Sequence, residues 1–153
     1  MTITVIHLNL SDEQRDEVNH EGWNCATGKA YLDAKHYGKY VEALELGMLK
    51  PVALMNLDAD CESDLEACFR DTNHIDTDWT ENDTVIFHAD QVRSSSTGDI
   101  FADAGGELYR VATFGFKFIL ESDPAWDDIN AVSYDFSMPF LEGDKRGNGK
   151  AAV

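Results

Sequence analysis

Residues 2–10, Thr-Ile-Thr-Val-Ile-His-Leu-Asn-Leu, are β-branched and apolar types without a breaker, and the run predicts a first strand. Ser11 precedes Gln14 by three residues, the spacing at which a hydroxyl caps an early helix N–H and the amide reaches back. A helix is therefore expected from Ser11 to just before Gly22. Between Cys25 and Lys50 the apolar positions Ala30, Ala34, Tyr37, Val41, Leu44 and Met48 recur at steps of four and three, which places them on one helical face. Gly38 interrupts that face, and Gly47 with Pro51 ends it. Pro51–Leu57 suits a short strand. Ser63 with Glu66 repeats the capping-box spacing ahead of Leu65, Cys68 and Phe69.

Residues 71–83 form a polar connection too long for a simple turn. Val85–Phe87, Ile100–Phe101, Leu108–Ala112 and Phe114–Leu120 then read as strands, divided by Gly98-Asp99 and Gly105-Gly106. Ser122-Asp123-Pro124 is a helix-entry signal, with Trp126, Ile129 and Val132 as the buried stripe that follows. Tyr134–Leu141 is expected to be extended, and residues 142–153 to be a solvated tail. The expected class is α+β: one domain over 1–141, with helices from the first half covering a small, mainly antiparallel sheet from the second.

Composition agrees with a folded chain. Of 153 residues, 43% are hydrophobic, which suffices for a core and argues against a disordered acidic tail protein. Against 12 Lys and Arg stand 29 Asp and Glu, a net charge of -17 that disfavours direct binding to nucleic acid. No apolar run has membrane-span length, and Met-Thr-Ile-Thr-Val-Ile-His carries no basic leader, so a soluble, cytoplasmic protein without a membrane partner is expected. Cys25, Cys61 and Cys68 match no paired spacing and read as buried free thiols in a reducing compartment.

Tests for chemistry are mostly negative. Asp58, Asp60, Glu62 and Asp64 alternate as in an EF-hand loop, but Ser63 stands where the Gly is needed and Phe69 where the closing Glu is needed. Cys61, Cys68 and His74 fit no zinc spacing. There is no GxSxG elbow and no phosphate-cradling Gly loop, and His7, His20, His36, His74 and His88 are dispersed. No cofactor or metal is expected.

Charge distribution is more informative. Residues 56–103 hold 13 acidic residues and two basic ones, Arg70 and Arg93, so this third carries -11 of the total. A plain solubilising face is one reading. The sharper one is that spaced carboxylates imitate phosphates and occupy the groove of a basic nucleic-acid-binding protein, through Asp58, Asp60, Glu62, Asp64, Asp76, Asp78, Glu81 and Asp83, with Trp79 as an aromatic anchor if exposed. Trp79 is otherwise expected to pin the long loop to the sheet. Arg93, a lone cation among acids, is expected to anchor a buried ion pair rather than to bind an anion.

The order Thr72-Asn73, Trp79, Asn82, Arg93-Ser94-Ser95-Ser96-Thr97-Gly98-Asp99 and Gly115-Phe116 resembles small phage- and plasmid-borne proteins. Those proteins combine a TN…WxxN segment with RSxSVGD and a closing GF, and the match covers about a third of this chain. Thr97 stands where that pattern has an apolar residue. The resemblance implies a mobile-element setting and no particular activity. With the charge it leads to the expectation of a stoichiometric inhibitor of a host defence protein, such as a CRISPR effector or a restriction enzyme. The alternative is a small hydrolase or transferase with a pocket formed by Asn73, His74, Arg93 and Asp99 between the two motifs.

Overall fold

The computed structural model describes residues 1–57, 63–75 and 77–135. Strand β1 (Thr2–Leu8) is followed by α1 (Asp12–Glu21), α2 (Ala26–Tyr37), α3 (Val41–Glu45), β2 (Leu49–Asn56) and α4 (Asp64–Asp71). A 3-10 turn (Trp79–Glu81) leads to β3 (Val85–His88), β4 (Ile100–Asp103), β5 (Leu108–Val111), β6 (Phe116–Ile119) and α5 (Trp126–Ser133). The six strands form one antiparallel sheet in the order β3-β2-β1-β4-β5-β6.

The fold is α+β, with one correction to the expected layout. The sheet is not built from the second half alone, because β1 and β2 are interior strands. The cause is visible in β1, where Ile3 to Leu8 are all buried, so both faces of the strand need cover. Ile6 and Leu8 pack with Ala30 and Ala34 of α2, Ala43 of α3 and Ile129 of α5. Ile3 and Val5 face the other way, into a second core with Ala67 and Cys68 of α4 and with Trp79. Pro51 is tolerated inside β2 because it stands opposite Ile6, where the register with β1 shifts.

Local signals explain the helix ends. Ser11 and Gln14 form both halves of their capping box, and α1 stops at Gly22, whose N–H donates to the Val18 carbonyl. Gly38 closes α2 in the left-handed region at φ 69°. At the third start, the Ser63 hydroxyl accepts from Glu66 N–H. The helix α5 begins two residues after Pro124, and the Asp123 carboxylate accepts from Ala125 N–H. The expected extended segment reaches past Tyr134 into residues outside the described set, as does the expected tail. No helix among the described residues is long and apolar enough to cross a membrane.

Candidate functional site

The two motifs meet in one polar lattice on the Trp79 side of the sheet. At its centre is Asp99, fully buried at the entry to β4. Its Oδ1 accepts from Leu8 N–H at 2.8 Å and from Arg93 Nη2 at 2.7 Å. Its Oδ2 accepts from Ser96 N–H and from Arg93 Nη1, each at 2.7 Å. Arg93 also donates to the Leu8 carbonyl and to Asn9 Oδ1, both at 2.8 Å. Burial opposes the charge on Arg93, but the hydrogen bonds and the charge of Asp99 outweigh it and hold the guanidinium above its usual range. Arg93 is thus the anchor expected from its isolation among acids.

The preceding loop is tied to the same turn. Ser94 Oγ accepts from His74 N–H at 2.8 Å, and Ser95 N–H donates to the Thr72 carbonyl at 2.9 Å. The buried Thr72 hydroxyl donates to the Cys68 carbonyl, closing α4, and the Asn73 amide donates to the Phe69 carbonyl. Asn82 Nδ2 donates to the Asp71 carbonyl at 2.8 Å. On the other side Tyr40 donates its hydroxyl to the Gly98 carbonyl at 2.8 Å, and burial pushes that phenol's pKa up. Gly98 is required here. Its φ is +96°, and a Cβ would sit 2.9 Å from Lys35 Cα.

Trp79 corrects the aromatic-anchor expectation. Its side chain is 0% exposed, packed in the core between α4 and the sheet, while its indole N–H donates to the Arg93 carbonyl at 2.9 Å. A large apolar ring with one polar edge is most stable where the ring is covered and the edge has an acceptor, and this loop supplies both. It pins the loop to the sheet and offers no surface to a partner.

His7 is the member that sequence reasoning passed over. It is fully buried, with Nε2 3.0 Å from Ser95 Oγ and 3.6 Å from Asp99 Oδ2, and its ring lies 6.5 Å from that of Trp79. Nδ1 has no hydrogen-bond partner among the described residues. Burial lowers its pKa to about 4, the attraction of Asp99 offsetting only part of that, so the imidazole is neutral at pH 7. Its signal was a polar residue on an inward position of an otherwise apolar strand. The set Ser95, His7 and Asp99 lacks the nucleophile geometry, in which the carboxylate holds the ring nitrogen opposite the hydroxyl. Here both partners address Nε2, and Ser95 is 3% exposed.

Of the expected pocket residues, Asn73 lines a cavity of about 210 Å³ with Arg70, Asp71, Ile75, Thr77 and Asn82, and Arg93 and Asp99 bond each other in the lattice. His74 Nδ1 accepts from Trp79 N–H at 3.1 Å and lies 3.7 Å from Asp78.

Of the expected partner-binding acids, Asp78, Glu81 and Asp83 are exposed around the 3-10 turn, and Asp64 is half-buried at the start of α4. Asp78 caps that turn, and hydrogen bonds from the N–H and hydroxyl of Thr80 lower its pKa. Asp58, Asp60, Glu62 and Asp76 lie outside the described residues. A second acidic surface, not singled out from sequence, is α1. There Asp12, Glu13, Asp16 and Glu21 are exposed and only Val18 is buried.

The chain matches no protein-family model, no curated protein and no solved structure.

Proposed function

We propose that the chain is an acidic accessory protein of a phage or other mobile element. In this reading it binds a basic, nucleic-acid-binding host protein stoichiometrically and blocks it, with a CRISPR effector or a restriction enzyme as the defence target. One observation carries the reading. The polar residues of both motifs make internal hydrogen bonds, and the carboxylates of Asp78, Glu81 and Asp83 lie at the surface around the 3-10 turn. The two cations of the acidic stretch are engaged as well, Arg93 with Asp99 and Arg70 with Asp71 at 2.9 Å. The surface around the 3-10 turn is negative, which steers it toward basic grooves and away from phosphate.

The reading is tested by capture from a host lysate on the immobilised full chain at low and moderate salt. Retention of one nucleic-acid-binding protein, released both by salt and by that protein's own DNA or RNA, is expected. Retention that salt and nucleic acid leave unchanged overturns the mimicry.

A further inference from the structure

Strand β6 ends the sheet among the described residues, and one of its edges has no strand beside it. In a chain of net charge -17, residues 108–120 contain no acid and two bases, Arg110 and Lys117. Around this edge Phe114 is 90% exposed, Leu120 57% and Phe118 46%. An exposed, apolar, unpaired edge is the surface that soluble proteins normally cover or charge. Two copies that meet through this edge bring no carboxylate of residues 108–120 together, whereas Arg110 and Lys117 repel a basic partner.

From this edge we infer that the chain forms a twofold dimer in which β6 pairs antiparallel with β6 of a second copy, joining the six described strands of each into one continuous sheet. The register follows from the hairpin. Ala112 N–H donates to the Gly115 carbonyl, so Ala112 and Gly115 are a hydrogen-bonded pair. Pairing then alternates along β5 and β6. Arg110 with Lys117 is hydrogen-bonded, while Val111 with Phe116 and Tyr109 with Phe118 are not. The N–H and C=O groups of Phe116 and Phe118 therefore point to the open edge.

Of the symmetric registers that use those groups, two are centred on interior residues of β6. One centres on Lys117 and sets like charges opposite each other, which is destabilising. The other centres on Phe118. It stacks Phe118 on Phe118 of the second copy beside Tyr109, whose ring is 5.3 Å from that of Phe118, and sets Phe116 opposite Leu120. It also leads Glu121 of each copy toward Lys117 of the other. The Phe118 register is the one assigned.

Sedimentation equilibrium of the full chain tests this. A dimer is expected, tightening at least about tenfold when salt rises from roughly 50 to 500 mM, because screening relieves the repulsion between two strongly negative copies. Phe118→Asp, checked for an unchanged circular dichroism spectrum, is expected to be monomeric. Lys117→Glu is expected to weaken the dimer, and Lys117→Glu with Glu121→Lys to restore it. A monomer at high salt and high concentration overturns the inference, as does a dimer that survives Phe118→Asp. Failure of the double exchange to restore association overturns the register.

Discussion

Replacing Asp99 by Asn measures what the buried ion pair contributes. Leu8 N–H, Ser96 N–H and the two terminal nitrogens of Arg93 all donate to this carboxylate, two to each oxygen, within 2.7–2.8 Å. An amide keeps one accepting oxygen and turns an NH2 group toward two donors whichever way it rotates. Two hydrogen bonds are lost, donors face donors, and Arg93 loses its counter-charge. Breaking a buried pair costs about 3–5 kcal/mol. Arg93 remains 36% exposed in its side chain, so water relieves part of the loss and the lower end, about 3 kcal/mol, is expected. For a chain of this length that corresponds to a fall in Tm of roughly 6–12 °C. The assay is urea unfolding of the wild type, Asp99→Asn, Arg93→Met and the double variant, with an unchanged m-value. The singles are expected to be non-additive by at least about 2 kcal/mol, since the second substitution removes a charge that the first has already stranded. Additive singles, or an Asp99→Asn cost within about 0.5 kcal/mol, would refute the assignment of Asp99 as the centre of the lattice.

Three further outcomes follow from the same geometry. His7 has a pKa near 4 when folded and 6.5 as its ordinary value, so between these pH values the unfolded chain binds a proton that the folded chain does not. Its contribution is complete above about pH 6.5 and falls by roughly 2–3 kcal/mol toward pH 4. His7→Gln is expected to flatten the pH dependence of urea unfolding in that window, and an unchanged slope would contradict the burial of a neutral imidazole. Gly98→Ala is expected to cost about 1–3 kcal/mol in thermal unfolding, because a Cβ at φ +96° meets Lys35 Cα at 2.9 Å and Leu8 Cδ2 at 3.0 Å. Trp79→Phe is expected to lose about 2–3 kcal/mol from a cavity and from the missing bond to the Arg93 carbonyl. A neutral result there would place the indole outside the core.

Local chemistry was the legible part of the fold. Capping hydroxyls at Ser11 and Ser63, the break at Gly38 and the antiparallel second half are set by neighbouring residues and could be read in order along the chain. The centre of the sheet was not, because pairing of β1 with both β2 and β4 is fixed by contacts far apart in sequence. The two-sided apolar run of β1 was the available sign, since an edge strand or a strand with one wet face alternates. Arg93 was legible as an anchor, but its partner Asp99 was not distinguished from other nearby acids. Their spacing of six residues acquires meaning only when Gly98 turns the chain and the Leu8 N–H arrives from another strand. Trp79 carried opposite expectations, core pin and surface anchor, and only packing against Cys68 and Val85 separates them.

The central claim is that carboxylates around the 3-10 turn meet a basic partner. It is tested most directly by titrating the captured host protein with the wild type and with a variant carrying Asp78→Lys, Glu81→Lys and Asp83→Lys. A variant with Glu13, Asp16 and Glu21 of α1 changed to Lys makes the same change in net charge elsewhere. The account predicts that the first variant binds at least about a hundredfold more weakly at low salt and loses most of its salt dependence, while the second keeps its affinity within about tenfold. Equal losses in both variants, or an unchanged affinity in the first, would contradict it.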